Sequence, residues 1–293
     1  MPLLVLFLLV GVVGLTVGLL VWRYPRISPR TSTPSLETAE AIGETVGKRS
    51  RLARRLDPTV ATGLALTVAL VIVIGGGVLL AVLAYLVRSN GHLLAIDRSV
   101  AKWGNRNATP TEMRVLNDLT HLGSIFPVVI GLCVVLAVVE TVRERTVWVV
   151  AFIATVMVGE EALQLAIKDL AHRIRPAFNP AAATLGPSFP SGHSATAAAF
   201  YATAALLLGR YRPRLARAFL AGGAVAIAVM VAGTRVLLDL HWLSDVIGGL
   251  ALGWAWFAVC AIAYGGRILR FGAGADKAAQ AAEESNDNLA RVA

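Results

Sequence analysis

Seven stretches of the chain are apolar over close to the length that a helix needs to cross a lipid bilayer. They lie at 3–22, 60–87, 124–142, 147–167, 193–209, 218–236 and 243–265. The hydrocarbon core of a bilayer takes roughly 20 residues of helix. Because no water reaches the backbone there, each spanning segment has to satisfy its own hydrogen bonds. The sequence therefore predicts an all-α, polytopic bundle of membrane helices.

The composition agrees with a membrane protein. Of the 293 residues 56% are hydrophobic and 15% are charged, whereas soluble domains carry about 25% charged residues. The 27 Lys+Arg exceed the 18 Asp+Glu, as is typical of cytoplasmic loops that lie beside anionic lipid. The basic stretches are not interleaved with aromatic residues, so we expect the bilayer, and no nucleic acid, as a partner.

Polar segments divide the chain into three parts. We predict an N-terminal transmembrane helix with a basic cytoplasmic linker (1–58), a six-helix membrane core (59–270) and a disordered cytoplasmic tail (271–293). The stretch 3–22 has the length of a full span and no basic segment before it. We therefore interpret it as an additional transmembrane helix and not as a secretory signal. Its role, like the oligomeric state, stays open.

Basic loops predict how the chain is oriented in the membrane. Four basic segments fall on one side, the predicted cytoplasm, if all seven stretches cross: 23–58, 143–146, 210–217 and the residues after 265. The other side holds 88–123, 168–192 and 237–242. Within the first of these, 92–120 mixes apolar and charged residues at helix-like spacing. We expect it to lie as an amphipathic segment at the outer interface.

Three motifs fall on the predicted extracytoplasmic side. Lys168 and Arg175, followed by proline, end the fourth stretch, and the tetrapeptide 190–193 (PSGH) begins the fifth. The third motif runs from Arg235 to Asp245 between the last two stretches. Hydropathy alone puts all three at one face, so their common location is independent of their chemistry.

The first set of residues suits a phosphate group. Lys168, Arg175 and Arg235 are cations at a membrane boundary, where charge is costly and marks function. Guanidinium groups match phosphate oxygens in pairs, and a lysine adds a point charge. Ser191 and Gly192 begin a helix, so their backbone N–H groups are candidates for binding an anion. Together these five residues predict a phosphate site.

Two histidines and an aspartate are candidates for catalytic residues. His241 and Asp245 are four residues apart and share one face if that segment is helical. The carboxylate can accept the Nδ1 proton, which leaves Nε2 free as a nucleophile. His193, at a neighbouring helix start, suits protonation of the leaving oxygen and later activation of water. We expect a phosphohistidine intermediate and no cofactor or metal.

The three motifs resemble those of the type 2 phosphatidic acid phosphatase superfamily, which carries K-x6-R-P, P-S-G-H and S-R-x5-H-x3-D. The resemblance extends over the motif spacing and the six-helix layout from about 60 to 265. It implies a nucleophile, His241, oriented by Asp245. It implies phosphate or acid–base roles for Lys168, Arg175, Ser191, Gly192, His193 and Arg235. Thr234 stands where the family usually has serine, and the hydroxyl is kept.

Other readings of the same residues stay open. The leading expectation is an enzyme of the cell membrane: a phosphohydrolase for polyprenyl diphosphate, phosphatidylglycerol phosphate or phosphatidic acid, with its site at the extracytoplasmic face. A phosphotransferase would use the same His–Asp pair with an alcohol as acceptor. The vanadium haloperoxidases of the same superfamily resemble soluble helical proteins, so the seven predicted spans argue against that activity. A lipid or anion transporter would need the cations but neither histidine.

Residues beside the motifs attract weaker hypotheses. Arg173 is a further candidate for phosphate binding because it lies between Lys168 and Arg175 in sequence. Glu160 and Glu161 are carboxylates inside an apolar stretch, which makes them functional candidates without an assigned chemistry.

Overall fold

The computed structural model describes residues 1–24, 61–89, 91–144, 146–177 and 179–265. The regular elements of these residues are helices: α1 (Pro2–Arg23), α2 (Ala61–Ser89), α3 (Gly91–Asn107), α4 (Pro110–Thr120), α5 (Ile130–Glu144), α6 (Trp148–Ala171), α7 (Gly192–Gly209), α8 (Arg214–Leu237) and α9 (Leu243–Tyr264). The predicted all-α class is confirmed. Most of the basic linker and the whole predicted tail lie outside the described residues.

Five helices of the described part are long and apolar enough to cross a membrane: α1, α2, α6, α8 and α9. A sixth span is present if α4 and α5, which are bent by 46° at a short break, count as one. The predicted span 193–209 forms α7, which is not among them. Small and hydroxyl-bearing side chains lower its hydropathy, and most of α7 is buried between other helices. Its neighbours therefore replace lipid around it.

The helix α7 lies directly against α9 because glycines remove the side chains between them. A Cβ atom on Gly249 would lie 2.4 Å from the carbonyl oxygen of Ser191, and one on Gly253 would lie 2.3 Å from that of Ala195. Backbones approach this closely in membranes where small residues line the interface. The start of α7 is thus held against the start of α9, and this brings the second and third motifs together.

The N-terminal helix α1 packs along α8 by the same means. A Cβ atom on Gly222 would lie 2.5 Å from the carbonyl oxygen of Gly14 and 3.3 Å from Gly18. Such contacts between small residues let apolar helices associate inside a bilayer. The prediction of an additional transmembrane helix is confirmed, and its partner in the core is α8.

The predicted amphipathic segment 92–120 forms two helices, α3 and α4. Thr109 separates them and caps α4: its hydroxyl accepts from the Glu112 N–H, while the Glu112 carboxylate accepts from the Thr109 N–H. In α3 one face is buried, with Asp97, Ala101 and Gly104 at the spacing of successive helical turns. An acidic side chain therefore points into the protein from a helix that sequence analysis expected at the surface.

Candidate active site

Hydrogen bonds to backbone carbonyls join the three motifs at one end of the bundle. The helix α6 ends at His172, which takes the left-handed conformation (φ 46°) and releases the chain into an extended segment. The indole Nε1 of Trp242 donates to the Ile174 carbonyl at 2.8 Å. The N–H of Ser191 donates to the Asp245 carbonyl at 3.0 Å. The first motif and the second are thus each hydrogen-bonded to the third.

The three predicted phosphate-binding cations lie near one another. Lys168 and Arg235 each interact repulsively with Arg175 across the site. Arg175 is buried, and its Nη1 lies 2.7 Å from the Leu240 carbonyl oxygen and 3.0 Å from Nε2 of His241. Arg235 is buried too. Like charges gathered in a buried place repel, and an anion between them relieves that repulsion.

Arg235 is oriented by a residue outside the motifs. Its Nη1 donates to the hydroxyl of Thr120 at 3.2 Å, and Thr120 is the last residue of α4. Thr234, at the position where the family usually has serine, is fully buried and its hydroxyl donates to the Val231 carbonyl at 2.6 Å. The hydroxyl of Thr234 therefore bonds within its own helix.

His241 and Asp245 face each other at the start of α9. Asp245 occupies the first turn of that helix, where its Oδ2 accepts the Trp242 N–H at 2.9 Å, an arrangement that favours a carboxylate. The Nδ1 atom of His241 lies 3.5 Å from the same Oδ2. Since Nε2 of His241 faces the donor Nη1 of Arg175, the ring proton belongs on Nδ1, towards Asp245.

Burial keeps this histidine neutral. His241 is 2% exposed, and burial lowers its pKa to about 4, although the nearby carboxylate of Asp245 acts in the opposite direction. A neutral imidazole has a lone pair on Nε2, and that lone pair points towards the cations. The site thus presents a nucleophilic nitrogen at a position where positive charge would hold a phosphate.

His193 lies in the first turn of α7, half-buried. The ionisable groups close to it include Arg235, His241 and Lys168, so it belongs to the same cluster although it comes from a different helix. All three predicted catalytic residues, together with the three cations, are therefore gathered at one end of the bundle.

The start of α7 differs in detail from the expectation. The N–H of Ser191 is engaged by the Asp245 carbonyl and is not available to an anion. The hydroxyl of Ser191 is buried and accepts from the Ser194 hydroxyl at 3.1 Å. A Cβ atom on Gly192 would lie 3.1 Å from the side-chain oxygen of Gln164. The expectation that the Ser191 amide binds an anion is therefore not supported by its contacts.

Arg173 forms contacts other than those expected. Its guanidinium is engaged by two carboxylates: Nη2 lies 2.6 Å from Asp97 Oδ2, and Nη1 donates to Asp245 Oδ1. The hypothesis that Arg173 binds phosphate is therefore not supported by its contacts. Asp97 lies outside the three motifs and was not predicted as a site residue, although its spacing with Ala101 and Gly104 puts it on one face with two small residues.

A basic cleft opens beside Arg175. It has a volume of about 720 Å³, and its walls include the side chains of Arg88, Arg98, Lys102 and Trp242. None of the described residues that line it is acidic. The part of the chain that the structure describes also holds no group of three or more His, Cys, Asp or Glu side chains placed to bind a metal ion.

Comparisons with known proteins agree with this geometry. Residues 147–268 match the PAP2 superfamily. The chain is 30% identical over 176 residues to phosphatidylglycerophosphatase B of Bacillus subtilis, which covers 59% of this chain and 84% of that protein. It is 37% identical over 122 residues to lipid A 1-phosphatase of Rhizobium etli, over 38% of this chain and 48% of that protein.

A solved structure extends the likeness to the fold. The crystal structure of a transmembrane PAP2-type phosphatidylglycerolphosphate phosphatase from Bacillus subtilis superposes with a TM-score of 0.60 at 27% sequence identity. The match covers 65% of this chain and 94% of that one. The predictions of a multi-pass membrane protein and of an enzyme of the lipid phosphatase type are confirmed. On motifs, sequence similarity and fold alike, the chain belongs to the PAP2 superfamily.

Proposed function

We propose that this protein hydrolyses a lipid phosphate or diphosphate at the extracytoplasmic face of the cell membrane, through a phosphohistidine on His241. One observation carries the proposal: Nε2 of His241 and Nη1 of Arg175 lie 3.0 Å apart, so that a nucleophile and a cation are immediate neighbours, hydrogen-bonded until a ligand displaces the contact. A phosphate that enters between them would meet a nucleophile and a cation together. Lys168 and Arg235 would contact its remaining oxygens.

In the first step Nε2 of His241 forms a bond to phosphorus while the bond from phosphorus to the lipid oxygen breaks. Asp245 holds the Nδ1 proton and stabilises the positive charge that the ring acquires. His193 gives a proton to the leaving oxygen. The dianionic phosphate favours that protonated state of His193 because it offsets the charge of Lys168 and Arg235 around the imidazole.

In the second step water replaces the lipid. His193, now neutral, accepts a proton as the water oxygen forms a bond to phosphorus and the bond to Nε2 of His241 breaks. Inorganic phosphate leaves, and His241 returns to its neutral form. Because a side chain supplies the nucleophile, these two steps need no metal-bound hydroxide.

The basic cleft supports an anionic lipid headgroup as the substrate. Its cations Arg88, Arg98 and Lys102 line the same cleft as Arg175 and would attract the rest of an anionic headgroup. Polyprenyl diphosphate, phosphatidylglycerol phosphate and phosphatidic acid all fit this chemistry. The relatives named above include a phosphatidylglycerophosphatase and a lipid A 1-phosphatase, which supports a glycerolipid or glycolipid phosphate.

The proposal assigns the reaction to one segment of the chain. The segment 59–270 carries every residue used in the two steps, and 1–58 and 271–293 are accessory to the reaction. The basic loop 210–217, at the far end of α7 from His193, supports an extracytoplasmic site because basic loops favour the cytoplasm.

The test is phosphate release from a panel of lipid phosphates by the full chain in detergent with EDTA. We expect the wild type and His92→Ala, a matched change of an exposed histidine on α3, to release phosphate, and His241→Ala to be slower by at least about 10⁴-fold. Undiminished release by His241→Ala would contradict the proposal. Release that depends on an added alcohol would instead indicate a phosphotransferase.

A further inference from the structure

A chain of buried contacts leads from α3 to the carboxylate of Asp245. The side chain of Asp97 is 1% exposed, that of Arg173 is 8% exposed and that of Asp245 is completely buried. Arg173 contacts both carboxylates at once, one with each terminal nitrogen. Asp97 is 76 residues from Arg173 and lies outside both the three motifs and the segment 147–268.

Further contacts hold Asp97 in place. Its Oδ1 accepts the Ser244 N–H at 2.9 Å, and its Oδ2 accepts the Ser244 hydroxyl at 2.6 Å. Arg173 donates to that hydroxyl at 2.7 Å, and its guanidinium carbon lies 5.6 Å from the ring centroid of Trp242. A buried charge is costly unless its partners are well placed. Here every oxygen of Asp97 has at least one partner, so the carboxylate position is sharply defined.

The charges of Asp97, Arg173 and Asp245 affect His241. An arginine that contacted Asp245 alone would neutralise it and weaken its effect on the imidazole. With Asp97 on the other side, the guanidinium is shared between two carboxylates, and the three groups together carry one negative charge. That charge lies beside a ring that becomes positive when its Nε2 is phosphorylated.

We propose that Asp97 and Arg173 are positioning residues for phosphoryl transfer, which hold the Asp245 carboxylate towards His241 and preserve its negative charge. The proposal rests on the function proposed above. It makes the amphipathic helix α3 part of the active site, although no atom of Asp97 contacts the reacting groups. Arg175 faces Nε2 of His241 and Asp245 faces Nδ1, on the opposite edge of the ring, so the proposed effect is on the chemical step and not on substrate binding.

A purely structural role would give a different result. If Asp97 only anchored α3 to the core, its loss would lower stability and leave the folded enzyme with its normal turnover. The test therefore needs kcat, KM and the melting temperature from the same preparations. Inhibition by inorganic phosphate reports separately whether the cation site is intact.

The first variant is Asp97→Asn in the full chain, in detergent. We expect kcat to fall about ten-fold or more, while KM and the inhibition constant of phosphate stay within about two-fold. The rate of phosphohistidine formation after rapid mixing should fall in parallel with kcat. Asp118→Asn, which changes an exposed carboxylate on α4, is the matched control and should turn over like the wild type.

A double-mutant cycle tests the connection. If Asp97 acts through Arg173, Asp97→Asn should change kcat by less than about two-fold in an Arg173→Gln background. Should Asp97→Asn prevent folding, Ser244→Ala keeps all three charges but loosens Asp97, and we expect a fall in kcat of a few-fold with KM unchanged.

Four results would overturn the proposal: a folded Asp97→Asn enzyme with normal kcat, a loss that lies entirely in KM, single effects that multiply in the double variant, or normal kcat in Ser244→Ala. An active wild type with any of these leaves the proposed function standing. A wild type that releases phosphate from no lipid contradicts the proposed function, and the role of Asp97 with it.

Discussion

At the end of the bundle away from the candidate site, the carboxylate of Glu140 is fully buried between two arginines. Its Oε1 lies 2.6 Å from Arg143 and its Oε2 lies 2.7 Å from Arg210. At the site end, Arg175 and Arg235 are also buried, but among the described residues neither forms a salt bridge with a carboxylate. Their hydrogen bonds go to carbonyl oxygens, an imidazole nitrogen and a hydroxyl.

This difference separates two uses of buried arginine. The Glu140 cluster satisfies its charges internally and joins α5 to the end of α7. At the site end Asp245 and Asp97 share Arg173 instead of pairing with Arg175 or Arg235. Positive charge is therefore left for a ligand. Burial of an arginine alone would not distinguish the two ends, whereas the chemistry of its partners does.

The comparison predicts opposite effects for matched variants. Arg175→Gln at the site end should lower kcat/KM for a lipid phosphate by about 10³-fold, because it removes charge that stabilises the transition state. The melting temperature should stay the same or rise, since one of several repelling cations is lost. Enzyme kinetics and thermal unfolding of one preparation measure both. A large fall in melting temperature would show that Arg175 is structural.

Glu140→Gln should do the reverse. Removing one partner of a buried ion pair leaves Arg210 without its carboxylate and should cost about 3 kcal/mol of stability. The fraction that stays folded should keep its wild-type kcat, because α7 is 18 residues long and separates the change from His193 by about 27 Å. Asp118→Asn, which changes an exposed carboxylate on α4, is the control for loss of a carboxylate. A stable but inactive Glu140→Gln enzyme would show that Glu140 serves activity and not stability.

The pH dependence of kcat/KM tests the site end alone. Burial lowers the pKa of His241 to about 4, so the neutral nucleophile persists when the pH falls through 6.5, the ordinary value for histidine. After allowance for the lipid phosphate, whose second pKa is about 6, kcat/KM should have no acid limb near pH 6.5 and should decline only towards pH 4. A remaining limb near pH 6.5 would mean that His241 is not kept neutral by burial.

Asp239 offers the smallest effect. It lies between Arg235 and His241 with a left-handed backbone (φ 56°), and one carboxylate oxygen is buried without a hydrogen-bond partner. Burial raises its pKa to about 6, so ionisation destabilises the fold as the pH rises through about 4 to 6. Asp239→Asn should therefore raise the melting temperature at pH 8 and leave it nearly unchanged at pH 4. Equal gains at both pH values would show that the charge is not the cause.

Sequence alone predicted the helices and the cluster because both follow from local patterns. Apolar length predicts a span, and the alternation of spans brings motifs to one face. Contacts such as Thr120 with Arg235, or Asp97 with Arg173, join residues far apart in the chain and depend on how α3 and α4 pack. The same limit explains the Ser191 amide, which is free in an isolated helix start and engaged once Asp245 lies beside it.

The most direct test of the proposed mechanism is to trap the covalent intermediate. A lipid labelled with ³²P on its terminal phosphate is mixed with the enzyme and quenched within milliseconds under alkaline conditions, in which phosphohistidine survives. We predict label on the peptide that contains His241 in the wild type, label that persists longer in His193→Ala because release to water is slowed, and none in His241→Ala. Label on another residue, or rapid hydrolysis with no labelled protein at any time, would contradict the central role of His241.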